Sequence, residues 1–352
     1  MGDLLSYSGI TTKIRAMQSH MITENQFREM AGLLTVSDAV EYLSRLKPYQ
    51  GLFSDLEGEG LHRGAIEQRL ILSLYQDFAK LYRFSNVNQR KFLDLYFMHF
   101  EIDILKKCFR NAMGNNQPDI DLSVFEGFFQ NHSKLDLGKL SASANLGDFL
   151  AALEGSVYHG LLSGLADTEE PTLFDYEVHL DLLYFKTIWK VMGKHLKKEE
   201  REVLSQCFGS KLDLLNVQWI YRSKKYYRLQ PAQIYSLLIP TNYRLKKEQI
   251  TKMTEAGTIE EFYGVLKTTF YGQKANIETF EAPNLERLTM EVLDKIHHSS
   301  SQQNPYSIAT LNSYLYFKEE EIQKVVTLIE SIRYRVNPDE IISVSYTHLR
   351  AH

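Results

Sequence analysis

The sequence has little cysteine, proline or glycine, and each shortage excludes something. Two cysteines in 352 residues, Cys108 and Cys207, cannot build a disulfide framework or a four-cysteine metal site. They fit a reducing compartment, where a free cysteine is a small buried hydrophobe. Eight prolines and 19 glycines fall below average usage, which favours long helices over many tight turns. No apolar run approaches the roughly 18 residues of a membrane-crossing helix. The richest stretch, 173–192, is broken by Asp175, Glu177, His179, Asp181 and Lys186. The opening MGDLLSYSGITTKIRAMQSH has no secretory-signal pattern, and Met1-Gly2 followed by Ser6 matches a myristoylation signal only weakly. A net charge of −4 gives no whole-chain electrostatic ground for binding nucleic acid.

Motifs for chemistry are missing too. There is no Gly-x4-Gly-Lys-Ser/Thr phosphate loop, so nucleotide hydrolysis would reside in other chains. There is no Gly-x-Ser-x-Gly elbow; GLLSG at 160–164 has the wrong spacing. Neither HExxH nor the two Glu-x-x-His motifs of a diiron pair occur, nor Asp-Asp-x-x-Asp. Asp294 and His297 lie one helical turn apart beside His298, and they read as a solvated helix end running into SSSQQN rather than as ligands. Asp119 and Asp121 follow Pro118 as helix-start acids. The expectation is no catalytic residue, no cofactor, no metal and no small-molecule substrate.

What the chain does have is a repeat. The length suits two or three domains, and 44% apolar residues mark a globular chain; 21 Tyr and 19 Phe supply an aromatic core. Three segments align on an acid: FEIDILKKCFR on Glu101, LDLLNVQWIYR on Asp213 and EEIQKVVTLIE on Glu321. Apolar residues follow at +1, +4 and +8: Ile102, Leu105 and Phe109; Leu214, Val217 and Tyr221; Ile322, Val325 and Ile329. At about 100° per residue each set forms one buried stripe, bordered by the acid. Position +9, on the far side, is Arg110, Arg222 and Glu330, so an arginine role there would exclude Glu330. Pro118, Pro231 and Pro338 come 17, 18 and 17 residues after the acids, where each suits the first turn of a new helix.

A second marker, acid-Phe-x3-Leu-x4-Tyr, recurs as DFLAALEGSVY (148–158) and EFYGVLKTTFY (261–271), with a looser DAVEYLSRLKPY (38–49). Its tyrosines, Tyr49, Tyr158 and Tyr271, precede the acids by 52, 55 and 50 residues. Breaks at 58–60, Pro171 and Pro283 open further helices. The expected organisation is all-α, with three similar helical units of about 110 residues, 1–125, 126–240 and 241–344. Units this long suit a closed three-fold arrangement better than a solenoid. Residues 345–352 lose the apolar period and read as a frayed or foreign tail.

These residues resemble the C subunit of the bacterial and archaeal V-type (A-type) ATPases, the counterpart of the vacuolar d subunit. The last unit is the most specific part: Tyr314-Leu315, then Lys318-Glu319-Glu320-Glu321-Ile322, then Pro338-Asp339-Glu340-Ile341. The similarity spans about 5–344. The family pattern favours Asn at +3 and Arg at +9. Asn216 and Arg222 match in the second unit; Ile104 and Arg110 stand in the first, Lys324 and Glu330 in the third. The resemblance implies an all-α funnel with pseudo-three-fold symmetry and no active site. It would sit on the cytoplasmic side of the cell membrane as a peripheral protein. Its partners would be the rotor-ring membrane subunits and the central-shaft subunits, between which it passes torque during ATP-linked H⁺ or Na⁺ transport. The competing expectation is another all-helical repeat scaffold that binds a helical protein partner.

Cations gather locally. RSKKYYR holds Arg222, Lys224, Lys225 and Arg228, and RLKK holds Arg244, Lys246 and Lys247; KHLKK (194–198) precedes them. Interleaved tyrosines would suit nucleic acid, but the acidic balance of the chain opposes it. A solvated face, an acidic partner or anionic headgroups are the alternatives. GNNQPD (114–119) and HSSSQQNP (298–305) read as polar, turn-rich loops.

Overall fold

The computed structural model describes residues 2–56, 61–114, 121–166, 171–240, 242–275, 285–339 and 341. Along the chain run α1 (Gly2–Gln18), α2 (Glu24–Ala31), α3 (Val36–Arg45), α4 (Arg63–Phe84), α5 (Val87–Met113) and α6 (Ser123–His132). Then come α7 (Leu137–Ser141), α8 (Leu146–Ala152), α9 (His159–Ala166), α10 (Leu173–His195), α11 (Lys198–Arg222) and α12 (Pro231–Leu237). The last are α13 (Lys247–Glu255), α14 (Ile259–Lys267), α15 (Phe270–Lys274), α16 (Leu285–Gln303) and α17 (Ile308–Arg333). The described residues are all-α, with no strand among them. None of these helices is long and apolar enough to cross a membrane.

The helix starts follow from local sequence. Thr35, Asn145 and Thr258 cap α3, α8 and α14, each accepting the backbone N–H of the acid three positions on: Asp38, Asp148 and Glu261. The acids of the second sequence marker are therefore N-terminal helix signals. The rest of that marker is core: Ala39, Leu43 and Tyr49, Phe149, Leu153 and Tyr158, and Phe262, Leu266 and Tyr271 are all buried. Pro231 occupies the first turn of α12, as its fixed φ allows. Pro118 and Pro283 lie outside the described residues, as do 58–60, 115–119 of the first loop segment and the 345–352 tail.

The chain divides into two compact units. One is Gln68–Leu196, where α10 packs along α5 and the small helices α7 and α8 lie against α5. Its core is aromatic: Tyr75 stacks on Phe128 at 4.5 Å, and Phe78, Phe97, Phe100, Phe125 and Phe129 surround them. Edge-to-face and stacked ring pairs add about 0.5–1.5 kcal/mol each beyond their area.

The other unit is Met1–Glu67 with Lys197–His352. Here α11, α16 and α17 pack on one another, the α13–α14 hairpin covers α11, and α1, α2 and α3 cover α17. The stripe residues Leu214 and Val217 sit in one cluster with Met253, Phe262, Leu266, Tyr271 and Val292. Two glycines permit close approaches. A Cβ on Gly272 would lie 2.2 Å from the Leu266 carbonyl, and one on Gly209 would lie 2.6 Å from the Tyr243 ring.

The segment 298–303 corrects the sequence expectation. It is not a loop: α16 continues through His298 and the serines to Gln303. Ser300 is buried, and the Ser301 hydroxyl bonds back to the His298 carbonyl. Packing against α17 overrides the weak intrinsic propensity of the serine run.

Candidate functional site

The three aligned acids form three similar hydrogen-bonded nodes. On α5, Glu101 accepts from the Ser133 hydroxyl and, at 2.6 Å, from the Tyr158 hydroxyl. On α11, Asp213 accepts the backbone N–H groups of Tyr243, Arg244 and Leu245 at 2.6–2.9 Å and the Tyr271 hydroxyl at 2.6 Å. On α17, Glu321 accepts the Ile22 N–H at 2.6 Å, the Tyr49 hydroxyl at 2.5 Å and the Lys318 ammonium at 2.6 Å.

Each acid thus secures the loop entering a short helical hairpin (133–136, 243–246 or 19–23) and the tyrosine that leaves that hairpin. The sequence alignment assigned no hydrogen-bond partner to these tyrosines. That alignment set each tyrosine before the acid of its own unit; the hydrogen bonds join each tyrosine to a different acid. Tyr158 meets Glu101, Tyr271 meets Asp213, and Tyr49 meets Glu321 across 272 residues of sequence. In the frame of 1–125, 126–240 and 241–344, the nodes connect first to second, second to third, and third back to first.

The electrostatics follow from burial. Desolvation raises the Glu101 carboxyl above its ordinary value, against the pull of the Ser133 and Tyr158 hydrogen bonds. Burial, and then the neighbouring carboxylate, push the Tyr158 and Tyr271 hydroxyls far up, so both remain donors. The third node differs by its cation. Lys318 is only 1% exposed; its ammonium also reaches the Tyr49 hydroxyl at 3.0 Å and lies 4.4 Å from that ring's centroid. Removing one member of such a buried, hydrogen-bonded ion pair leaves the other charge stranded at high cost.

The remaining signature residues are also at helix contacts. Asn216 clamps Ile239 with a pair of bonds, donating to its carbonyl at 3.1 Å and accepting its N–H at 2.8 Å. Arg110 pairs with Glu177 of α10 at 2.6 Å, and Arg222 pairs with Glu286 of α16 at 3.1 Å. Glu330 carries the opposite charge at the matching position, and its surroundings match that charge. It faces Arg63 at the start of α4 at 3.9 Å and Arg333 at 3.1 Å, so the third pair runs with its polarity reversed. Sequence reasoning missed Arg63, which has no counterpart in the aligned segments.

Asp294 and His297 are not a solvated helix end; both are buried where α16 meets α17. The Tyr316 hydroxyl donates to Asp294 at 2.9 Å, and the His297 ring stacks on Tyr316 with centroids 4.0 Å apart. Burial lowers His297 to about 3, so it stays neutral. Glu320 on α17 keeps one buried carboxylate oxygen without a hydrogen bond, and burial with Asp294 nearby raises it to about 7. Among the described residues no group of three or more His, Cys, Asp or Glu could hold a metal ion. Cys108 and Cys207 are buried thiols pushed up to about 12 by desolvation.

The basic residues are mostly at the surface. Lys224 donates to the Ala256 carbonyl at 2.7 Å. Lys225, Arg228, Arg244, Lys246 and Lys247 are exposed. Arg244 lies 5.0 Å from the Tyr243 ring centroid and 5.5 Å from that of Phe270. Lys246 and Lys252 line an open groove of about 660 Å³ between α13 and α14, shared with Glu255 and Glu261.

The chain has well-defined likenesses. The family model described as ATP synthase (C/AC39) subunit matches residues 10–344. The C subunit of the A-type ATP synthase of Thermococcus kodakarensis is 25% identical over 344 residues, covering 95% of this chain and 89% of the relative. That of Pyrococcus abyssi is 24% identical with the same coverage of each. The Methanosarcina acetivorans counterpart is 20% identical over 327 residues, with 91% and 87% covered.

Proposed function

The chain belongs to the ATP synthase (C/AC39) subunit family, and from that membership we propose that it couples the central shaft to the membrane rotor ring. It is a subunit of a rotary ATPase and not an enzyme by itself, and its partners lie within that complex. The match across 10–344 carries the proposal.

In this reading the chain is a stiff adaptor. Three helical units, 1–125, 126–240 and 241–344, surround a funnel. The funnel grips the foot of the shaft, and one rim sits on the ion-carrying ring at the cytoplasmic face of the cell membrane. A torque-bearing adaptor has to resist shear between its units. The cyclic order of the nodes supports that requirement: first to second, second to third and third to first, each through a carboxylate held by a tyrosine. Glu101, Asp213, Glu321, Asn216, Arg110 and Arg222 then act as stiffening residues between helices. Short, charge-assisted hydrogen bonds suit that role because they are strong and directional. Hydrolysis of ATP and ion binding belong to other subunits.

The test is co-purification. The full-length tagged chain is expected to retain the shaft subunits and the detergent-solubilised ring from membranes of its source. A folded, full-length sample that retains neither refutes the proposal.

A further inference from the structure

One segment is not absorbed by the coupling role. Residues 214–247 contain no Asp or Glu, yet hold seven cations: Arg222, Lys224, Lys225, Arg228, Arg244, Lys246 and Lys247. The whole chain carries 44 acids, so an acid-free stretch of this length stands out against its own background. Its most exposed part has an unusual backbone. After Arg222, helix α11 widens into a π-helical turn, Ser223–Tyr227, and Arg228 follows in the left-handed region with φ 51°. Both conformations are uncommon for ordinary residues and are tolerated where the rest of the structure, or a function, holds them.

The turn presents a defined group. Tyr226 is 64% exposed and Tyr227 59%, beside exposed Lys225 and Arg228. Lys225 is pre-positioned: its ammonium donates to the Tyr221 hydroxyl at 2.7 Å and lies 5.1 and 5.4 Å from the Tyr221 and Tyr226 ring centroids. Arg222 is offset by Glu286, and Lys224 turns back to the Ala256 carbonyl, so the outward charge is that of Lys225 and Arg228.

We propose that this π-turn is a peripheral anchor for an anionic phospholipid surface. Exposed tyrosines beside lysine and arginine are the composition of a membrane–water interface, where the rings sit among headgroups and the cations meet phosphates. A protein-interface core is a poorer match. Lysine is depleted there, and four of the seven cations here are lysines. A basic turn on a chain of net charge −4 also favours one orientation at an anionic plane, because the remaining residues carry a net negative charge. The anchor stands independently of the coupling role, and its test requires no other subunit.

The test is flotation of the full-length chain with vesicles of phosphatidylcholine alone or with about 30% phosphatidylglycerol, at about 50 mM and 500 mM salt. The expected result is binding to the anionic vesicles only, weakened at high salt. Each basic residue at the surface is worth about fivefold in binding, so Lys225→Gln with Arg228→Gln should weaken it about 25-fold. Tyr226→Ser with Tyr227→Ser should weaken it with the salt dependence retained. Lys91→Gln with Lys139→Gln, the same charge change at exposed lysines of the other compact unit, should leave it nearly unchanged. Circular dichroism confirms that each variant is folded. No binding to anionic vesicles, equal binding to neutral ones, equal loss in the Lys91/Lys139 control, or capture by poly(U) without vesicle binding each overturns the proposal.

Discussion

Glu321→Gln is the most informative single substitution. It keeps the volume of the side chain but removes the charge that faces Lys318, whose own exposure is 1%. Three donors lose a carboxylate acceptor: the Ile22 N–H, the Tyr49 hydroxyl and the Lys318 ammonium. Leaving one member of a buried ion pair uncompensated costs about 3–5 kcal/mol. For a domain of this size each kcal/mol moves the thermal midpoint by about 2–4 °C, so a fall on the order of 6–20 °C is expected. Glu101→Gln is the internal reference. Its donors, Ser133 and Tyr158, are neutral, so the loss should be only about 1–3 kcal/mol. Adding Lys318→Met to Glu321→Gln removes the stranded ammonium and should restore about 1–2 kcal/mol, a coupling that a double-mutant cycle reads directly. Urea unfolding measures the stabilities, and hydrogen exchange in 19–50 and α17 locates the loss. A Glu321→Gln effect below about 1 kcal/mol, or strict additivity with Lys318→Met, refutes the reasoning about this node.

Gly272→Ala places a Cβ 2.2 Å from a backbone carbonyl, next to Tyr271, so the α14–α15 junction must shift. A loss of about 1–3 kcal/mol is expected in denaturant unfolding, against near-neutral behaviour for Ala at Gly264, which has open space. Glu320→Gln tests the buried carboxyl on α17. Its native value near 7 lies above the unfolded value, so the folded state holds the extra proton. Its stability contribution is whole below about pH 4.5 and is lost as pH rises through 7. The stability gained by Glu320→Gln should therefore be near zero at about pH 4.5 and about 2 kcal/mol at about pH 8, after discounting for partial exposure. A gain independent of pH contradicts it.

Much of this molecule could be read from its residues. The +1, +4 and +8 stripes are core, apart from half-buried Tyr221, because a 3.6-residue period fixes which side a helix buries. The second marker worked for two reasons that coincide: its acid lies in the first turn of a helix, three residues after the cap, and its Phe, Leu and Tyr are core. Partner choice was not legible. A tyrosine 52 residues before one acid gives no hint that it bonds another 272 residues away, since hydrogen-bond pairing depends on how helices return in space. Glu330 looked like a departure because charge was compared within the aligned segments, whereas what the three contacts share is opposite charge between helices. The serine-rich end of α16 was missed because composition suggested a loop while packing against α17 decided otherwise.

Coupling itself is tested most directly by reconstituting the ATPase complex into vesicles with and without this chain, and recording ATP hydrolysis and ion uptake together. Hydrolysis is expected in both preparations, since the chain is not an enzyme by itself, with ion uptake only where the chain is present. Ion uptake of equal rate in its absence would contradict the coupling role.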